Sequence, residues 1–413
     1  MAKTPEVLYQ ERIKRVQDAI ELRKPDRVPI VALFGFFPAK YTGITCEDAM
    51  YDYDKSMKAW VDTIVEFKPD MDDNPFPQRV YGRILDILDT KQLAWPGHGL
   101  DPDSGFQFIE KDYMKAEEYE AFMFDQTDFM LRNYWPRIFG TLRPLKNLPP
   151  IHGMYSYGGL TRFASFGTPE MKEALEALIK VGEEAKELVA RASEFDETMQ
   201  RLGFPSQYGA VARAPFDIVS DFLRGTVGAM LDMFRTPDKL LEVVEQFVPI
   251  EIKAGLAAKN SGVPRVFMPL HKCIDTFMSP EQFDTFYWPT LQKVILALID
   301  EGLNPMVFWE GDCTSRLETI KDIPAGKAVY WFEKTDMIKA KEVLGDITCL
   351  RGNVPLSILC AGTPDDVKNY CRELIDNVGR GGGFIMDAST QFDDAKPENV
   401  KAMFEFTKEY GQY

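Results

Sequence analysis

Short apolar runs alternate with capped helices along most of the chain, and this alternation constrains the fold more than any other feature. The apolar runs lie at residues 28–34, 266–270, 306–309, 328–332, 347–350 and 383–386. Uninterrupted runs of this length are typical of strands that are buried on both faces of a parallel sheet. Strands that alternate with helices in this way indicate an α/β fold.

The helix starts share one chemistry, in which a hydroxyl residue is followed by proline and then by an acidic residue. Such starts occur at residues 168–170, 236–238, 279–282 and 363–366. The hydroxyl accepts hydrogen bonds from the first free amides, and proline at the first helical position loses none. The number of units predicts a (β/α)8 TIM barrel, formed by one domain over residues 1–413 with an N-terminal helical extension over residues 1–26. A doubly wound open sheet is less favoured, because no Gly-x-Gly-x-x-Gly motif follows the first strand.

The charge and the cysteines exclude several classes of protein. Acidic residues outnumber basic ones by 64 to 48, a net charge of −16, whereas a nucleic-acid-binding protein needs a basic surface. No run of about 18 apolar residues offers a membrane span, and the polar first residues carry no export signal. The six cysteines include no Cys-x-x-Cys pair and are expected to be free thiols. We therefore predict a cytoplasmic enzyme.

Polar side chains follow the apolar runs at the carboxyl ends of the predicted strands, where barrel enzymes carry their chemistry. His271 follows one run, Glu310 and Asp312 follow the next, and Glu333 follows the third. These four residues are the predicted catalytic groups. His271, Glu310 and Asp312 also offer nitrogen and oxygen atoms that could hold Zn²⁺ with an open position.

Aromatic and polar residues near the same strand ends are candidates for binding a substrate. An aromatic cluster ends the first strand, where we expect it to lie over the barrel mouth and to stack on a ring-shaped substrate. The predicted substrate-binding residues are Phe34, Phe36, Phe37, Tyr330, Asn353 and Asp387.

Several motifs in the second half of the chain resemble those of the uroporphyrinogen decarboxylase superfamily. They lie at residues 216–217, 222–225, 230–231, 351–355, 362–364, 382–385 and 396–400. Decarboxylases of that family carry an Arg-Gln-Ala-Gly-Arg stretch that grips the carboxylates of the substrate. The matching stretch here, residues 33–37, is Leu-Phe-Gly-Phe-Phe and contains no arginine. A pocket without guanidinium groups suits an apolar ring better than a polyanion.

The resemblance is therefore to the corrinoid-dependent methyltransferase branch of the superfamily. Members that serve coenzyme M hold zinc on a His-x-Cys pair and a later cysteine, but Glu310, Asp312 and Thr390 stand at or near those places here. The chain is more similar to enzymes that take a methyl group from a small methoxylated, often aromatic, compound and pass it to the cob(I)amide of a corrinoid protein. This resemblance implies a leaving oxygen that is helped either by a proton or by Zn²⁺.

The corrinoid is expected on a separate partner protein. Corrinoid-carrying domains use an Asp-x-His-x-x-Gly motif, and none of the three histidines here has aspartate two residues before it. Two alternative activities stay open: a decarboxylase of a small aromatic acid, which needs no corrinoid, and a methyltransferase that moves methyl groups from a methylcorrinoid to a thiol.

Overall fold

The fold is described from a computed structural model that covers residues 3–413. In the first half of the chain the helices are α1 Pro5–Ile20, α2 Phe37–Thr42, α3 Cys46–Tyr51, α4 Tyr53–Phe67, α5 Gly82–Leu88, α6 Tyr119–Phe124, α7 Gln126–Phe129, α8 Trp135–Ile138 and α9 Pro169–Arg201. In the second half they are α10 Pro215–Asp217, α11 Gly225–Arg235, α12 Pro237–Leu256, α13 Ala258–Ser261, α14 Pro280–Gln282, α15 Trp288–Asp300, α16 Leu317–Ile320, α17 Met337–Leu344, α18 Leu356–Ala361, α19 Pro364–Leu374 and α20 Pro397–Tyr410. None of the helices within residues 3–413 combines the length and the hydropathy that a bilayer span requires.

Two sheets accompany these helices. A small sheet contains β1 Leu93–Pro96, β2 Gly99–Leu100 and β3 Gln107–Phe108. The main sheet contains β4 Ala210–Val211, β5 Arg265–Leu270, β6 Asn304–Trp309, β7 Val329–Phe332, β8 Cys349–Arg351 and β9 Phe384–Ile385. Its strands lie side by side in chain order and are all parallel, with helices in the connections. The predicted α/β architecture with a parallel sheet is confirmed.

Backbone hydrogen bonds continue beyond both edges of the main sheet. At one edge, the amide of Val31 donates to Met386 O at 3.2 Å, next to the parallel bridge between Ile30 and Met386. The amide of Asp70 then donates to Ile30 O at 2.7 Å, and the amide of Asp72 donates to Pro205 O at 2.9 Å. Two extended segments, 28–34 and 70–73, thus link the β9 edge to the residues that precede β4.

Alternate residues of each strand point to opposite faces of the main sheet. On the face that we call the inner face, Phe267, Phe308 and Trp331 pack together with Leu33. The other face packs against the surrounding helices and carries residues such as Val307. The buried side chains on both faces explain why the strand sequences are apolar without interruption.

Helix α1 covers one end of the inner face. Its residues Val16, Ala19 and Ile20 are buried against a layer that includes Met306 and Val329. Of the predicted N-terminal extension, residues 1–26, the first two residues lie outside the described part of the chain.

The predicted aromatic lid is wrong for the cluster that ends the first strand. Phe34 and Phe37 are fully buried on the helix-facing side, where they pack against Phe67 and Phe404. Phe36 is 1% exposed and lies edge-on against another ring, that of Phe106. These rings belong to the hydrophobic core, and none of them forms an exposed surface over the strand ends.

Tyr330 is also placed differently from the prediction. It lies on the helix-facing side of β7, is fully buried, and donates a hydrogen bond to Ile320 O at 2.9 Å. Its neighbour Trp331 faces inward. Tyr330 therefore holds β7 against the preceding helix, and its ring is turned away from the inner face.

The start of α19 provides a test of the helix-cap interpretation. Thr363 Oγ1 accepts from the amide of Asp366 at 3.3 Å, and the Asp366 carboxylate accepts from the amide of Thr363 at 2.9 Å. We expect Thr363→Ala to lower the free energy of unfolding by about 1 kcal/mol, measured by urea denaturation, because the amide of Asp366 loses its acceptor and the Asp366 carboxylate loses the hydrogen bond from the Thr363 hydroxyl. The exposed Ser357→Ala is the matched control, and an equal effect of both variants would contradict the cap.

Candidate active site

A histidine and a glutamate meet where two neighbouring strands of the main sheet end. His271 follows β5 and Glu310 follows β6, and these strands are paired up to Leu270 and Trp309. The distance from His271 Nε2 to Glu310 Oε1 is 3.6 Å, and the two side chains are 35% and 38% exposed. The pair is therefore open to a small molecule at the carboxyl ends of the strands, as the sequence predicts.

Two aspartates hold His271 from behind. Asp221 lies on the π-helix Ile218–Leu223, and its carboxylate contacts His271 Nδ1 at hydrogen-bonding distance. Asp217 lies in α10 and is buried, and it accepts from the amide of His271 at 2.8 Å and from the hydroxyl of Tyr287 at 2.7 Å. A carboxylate at one ring nitrogen fixes the orientation of an imidazole and leaves the other nitrogen free to face a substrate.

The surroundings of His271 favour its charged form. Burial alone would lower its pKa, but the hydrogen bond to Asp221 and the charges of Glu310 and Asp217 outweigh burial and raise the pKa to about 9. His271 is therefore an imidazolium at neutral pH. Its charge remains beside Glu310 throughout the physiological range.

Glu310 has a pKa close to neutrality. Burial raises the pKa to about 7, the nearby His271 charge opposes the rise, and the charge of Glu333 adds to it. Glu333 is held next to the pair, because its Oε2 accepts from the amide of Gly311, the residue after Glu310, at 2.5 Å. A carboxyl group with a pKa near 7 exists in both protonation states at physiological pH, which is what a general acid requires.

Asp312 is not part of the pair. Its Oδ1 accepts from the amide of Thr314 at 2.9 Å and from the hydroxyl of the same residue at 2.6 Å, so its carboxylate begins the next turn of the chain. Within residues 3–413, no three His, Cys, Asp or Glu side chains are arranged as a metal-binding group. The predicted zinc ligand set of His271, Glu310 and Asp312 therefore does not fit the geometry.

Asn353 supports the loops around the site. Its amide nitrogen donates to Glu333 O at 3.2 Å and to Thr335 O at 3.1 Å, and its oxygen accepts from the hydroxyl of Tyr370 at 3.2 Å. It lines a cavity of about 560 Å³ that also contains the Glu333 side chain. Its polar atoms are used within the protein, so it positions the loop that carries Glu333.

Asp387 belongs to a buried cluster on the inner face. Arg351 donates to Asp387 Oδ2 at 2.8 Å and to the hydroxyl of Tyr208 at 2.7 Å, and its guanidinium lies 4.1 Å from the centre of the Trp331 ring. Burial raises the pKa of Asp387 to about 6, although Arg351 opposes the rise. Asp387 and Arg351 are both almost completely buried. Arg351 is in register with Trp331, and Trp331 with Phe308, which precedes Glu310 by two residues.

The sequence prediction missed the two aspartates behind His271. Asp217 is part of the Phe-Asp motif at residues 216–217, but a motif does not show which side chain its carboxylate contacts. Asp221 lies four residues later, and this spacing places two carboxylates on one side of a helix. That spacing is the signal in the sequence that could have identified Asp217 and Asp221 together.

The pKa of His271 provides a direct test of the role of Asp221. We expect Asp221→Asn to lower the pKa of His271 from about 9 toward the ordinary value of about 6.5, because the variant removes a bound negative charge. The measurement is a proton NMR titration, assigned with His98→Gln and His152→Gln variants. The fraction of imidazolium at pH 8 then falls in the variant, and an unchanged titration midpoint would contradict this role.

Comparisons with known proteins show the family of the chain. The family model described as uroporphyrinogen decarboxylase (URO-D) matches residues 168–410, which is more than half of the chain. The uroporphyrinogen decarboxylase of Chlorobium phaeovibrioides is 25% identical over 189 residues, covering 43% of this chain and 51% of that protein. The protein of the same name from Chlorobium phaeobacteroides is 23% identical over 190 residues, with the same two coverages. The chain thus spans about half the length of the curated relatives it matches.

A solved structure is similar along almost the whole chain. A methyltransferase from Methanosarcina mazei superposes with a TM-score of 0.59 at 14% sequence identity, and the match covers 99% of each chain. At 14% sequence identity this similarity shows a shared fold and nothing about activity. The family model covers residues 168–410, and this range includes His271, Glu310 and both aspartates. The chain belongs to the uroporphyrinogen decarboxylase (URO-D) family.

Proposed function

We propose that this chain is a corrinoid-dependent methyltransferase that takes a methyl group from a small methoxylated, aromatic substrate and transfers it to the cob(I)amide of a partner protein. The observation that supports the proposal best is the pair of His271 and Glu310, in which a carboxyl group with a pKa of about 7 lies beside an imidazolium. An ether oxygen is a poor leaving group unless it is protonated, and this pair can provide the proton at neutral pH.

The residues of the chain act on the leaving oxygen. Transfer of the methyl group breaks the bond between the methyl carbon and the ether oxygen, and both electrons of that bond stay on the oxygen. The Glu310 carboxyl group donates its proton to this oxygen and becomes a carboxylate, which the positive charge of His271 stabilises. Asp221 and Asp217 hold His271 in place during the step. The corrinoid, when present, supplies the nucleophile that accepts the methyl group.

The inner face is lined by aromatic side chains that pack against one another. The rings of Phe308 and Trp331 stack with their centroids 3.8 Å apart, and those of Tyr208 and Phe267 stack at 4.7 Å. Phe267, Phe308 and Trp331 are buried together with Leu33, so they form part of the core. The aromatic substrate is proposed from residues 33–37, which contain no arginine and so favour a substrate with few carboxylates.

The partner supplies the corrinoid in this proposal. Proline stands two residues before each of His98, His152 and His271, where a corrinoid-carrying motif has aspartate. His271 is in addition held at Nδ1 by Asp221. The open strand ends are the place where a second protein could bring its cofactor to the substrate.

We also infer that the main sheet is part of a closed (β/α)8 barrel. Segments 28–34 and 70–73 would be its first two strands and the stretch 205–211 the third, because hydrogen bonds join each of them to its neighbours. A cytoplasmic location is part of the same proposal. It is supported by the six cysteines, which are all free thiols even where Cys273 and Cys313 lie 3.7 Å apart.

The experiment that tests the proposed function measures the demethylated product. The protein is incubated without oxygen with a panel of methoxybenzenes, with and without cob(I)alamin, and the phenols are quantified by mass spectrometry. We expect phenol formation that depends on both the protein and cob(I)alamin. Phenol formation that is equal without the corrinoid, or no phenol from any substrate, would contradict the proposal.

A decarboxylase is the second candidate, because the curated relatives at 23–25% identity are named uroporphyrinogen decarboxylase. A proton donor such as Glu310 could also protonate the carbon that loses carbon dioxide. This reaction would release carbon dioxide from a small aromatic acid without any corrinoid, so the same incubations distinguish the two candidates.

A further inference from the structure

A second polar cavity lies away from the pair of His271 and Glu310. It has a volume of about 260 Å³ and lies between α9 and the segments 70–73 and 205–211. Its lining includes Asp72, Asp73, Asp196, Gln207 and Ser206. Three carboxyl groups thus face one small space that the proposed reaction does not use.

Two buried oxygen atoms in this lining have no hydrogen-bond partner among residues 3–413. One is Oδ2 of Asp72, a residue that is 1% exposed, and the other is Oε1 of Gln207, which is 3% exposed. The amide orientation of Gln207 is fixed, because its nitrogen donates to Ala32 O and to Asp72 O, both at 3.0 Å. A flipped amide would place two carbonyl oxygens against an oxygen. Gln207 Oε1 is therefore an acceptor, and Asp72 Oδ2 is one when its carboxyl group is ionised; buried polar atoms without partners are rare in native proteins.

The charge of the neighbouring Arg265 offsets that of Asp72 only in part, because its guanidinium donates its hydrogen bonds elsewhere. Arg265 donates to Ser206 O at 2.7 Å and to Gln207 O at 2.9 Å, and these are backbone atoms. Asp196 accepts only from neutral groups, the amide of Asn74 at 2.9 Å and the hydroxyl of Ser206 at 3.4 Å. Burial raises the pKa of Asp72 well above its ordinary range, and the charges of Asp196 and Asp73 raise it further. A positive charge in the cavity would relieve this repulsion.

We propose that this cavity binds a small organic cation with several N–H donors, such as a diamine or a guanidinium compound. The N–H groups would donate to Asp72 Oδ2 and Gln207 Oε1, and the positive charge would be balanced by Asp72 and Asp196. The volume corresponds to roughly eight waters at about 30 Å³ each, which is enough for a molecule of six to ten non-hydrogen atoms. The carboxyl groups are not arranged as the ligands of one metal ion within the described residues, so an extended donor group fits better than a metal.

Isothermal titration calorimetry on the full chain tests this proposal. The probes are 1,4-diaminobutane and methylguanidinium, and the neutral 1,4-butanediol is the control for size. The variants are Asp72→Asn and Asp196→Asn, which keep the shape of each side chain and remove its charge. Asp62→Asn, on the exposed side of α4, is the matched control, because a chain of net charge −16 attracts cations in general.

We expect at least one cation to bind at a single site, at least tenfold more weakly in both cavity variants and unchanged in Asp62→Asn, while the diol does not bind. Equal binding in all four proteins would show surface attraction only and would overturn the proposal. Binding of the diol, or no binding of either cation to the native chain, would also overturn it. Circular dichroism verifies that each variant is folded, and Asp196→Asn remains informative if Asp72→Asn is not. Methyl transfer plays no part in this readout, so the result is independent of the proposed function.

Discussion

Glu310→Gln is expected to lower kcat for phenol formation by about 10²–10⁴-fold while the protein stays folded. Glutamine has nearly the same shape as glutamate, but it cannot donate a proton to the leaving oxygen. The native carboxyl group has a pKa of about 7 because burial raises it, so a substantial fraction is protonated at neutral pH. The loss of rate should therefore be seen in kcat more than in KM.

The measurement is steady-state kinetics of phenol formation with saturating cob(I)alamin. Glu318→Gln is the matched control, because that residue lies on α16 and pairs only with Lys321 on the surface. In the native protein the rate should fall as the pH rises above about 7, since Glu310 then loses the proton that it must donate. A Glu310→Gln protein with a near-native rate would show that the proton comes from elsewhere.

Arg351→Ala is expected to lower the free energy of unfolding by about 3–5 kcal/mol at pH 8. Arg351 and Asp387 are 1% and 0% exposed, and their ion pair lies next to Trp331 on the inner face. Removal of the guanidinium leaves the Asp387 carboxylate buried and without its countercharge. The penalty should be smaller at pH 5, because protonation of Asp387 removes the unpaired charge.

Urea denaturation at the two pH values measures this effect. Arg380→Ala is the control, since its ion pair with Asp376 is exposed and should contribute about 0–1 kcal/mol. Adding Asp387→Asn to Arg351→Ala should recover part of the lost stability, because the isolated charge is then absent. A loss below about 1 kcal/mol for Arg351→Ala would mean that water reaches Asp387 and that the inner face is open to solvent.

The sequence predicted the strands and the central pair of the site for a simple physical reason. Apolar runs mark buried strands, and in neighbouring parallel strands the residues that follow the runs come together. His271 and Glu310 were predicted from that rule, and they lie 3.6 Å apart. The rule needs only the order of the strands.

The direction of individual side chains could not be predicted in the same way. An uninterrupted apolar run has no polar residue to mark one of its faces, so the inward residue of each neighbouring pair cannot be identified. The sequence therefore predicts Phe34 and Tyr330 as substrate-binding residues, whereas Leu33 and Trp331 are the ones that face inward. Asp312 was misassigned because a short acidic side chain readily bonds to the backbone two residues ahead, as it does with Thr314.

The central claim is that this chain moves a methyl group onto a corrinoid, and absorbance spectroscopy of the corrinoid tests it most directly. Cob(I)alamin is mixed without oxygen with a methoxybenzene and either the native protein or Glu310→Gln, and the spectrum is followed over time. We predict conversion to the spectrum of methylcobalamin with the native protein and much slower conversion with the variant. An unchanged cob(I)alamin spectrum, accompanied by carbon dioxide release from an aromatic acid, would contradict the claim and would establish the decarboxylase instead.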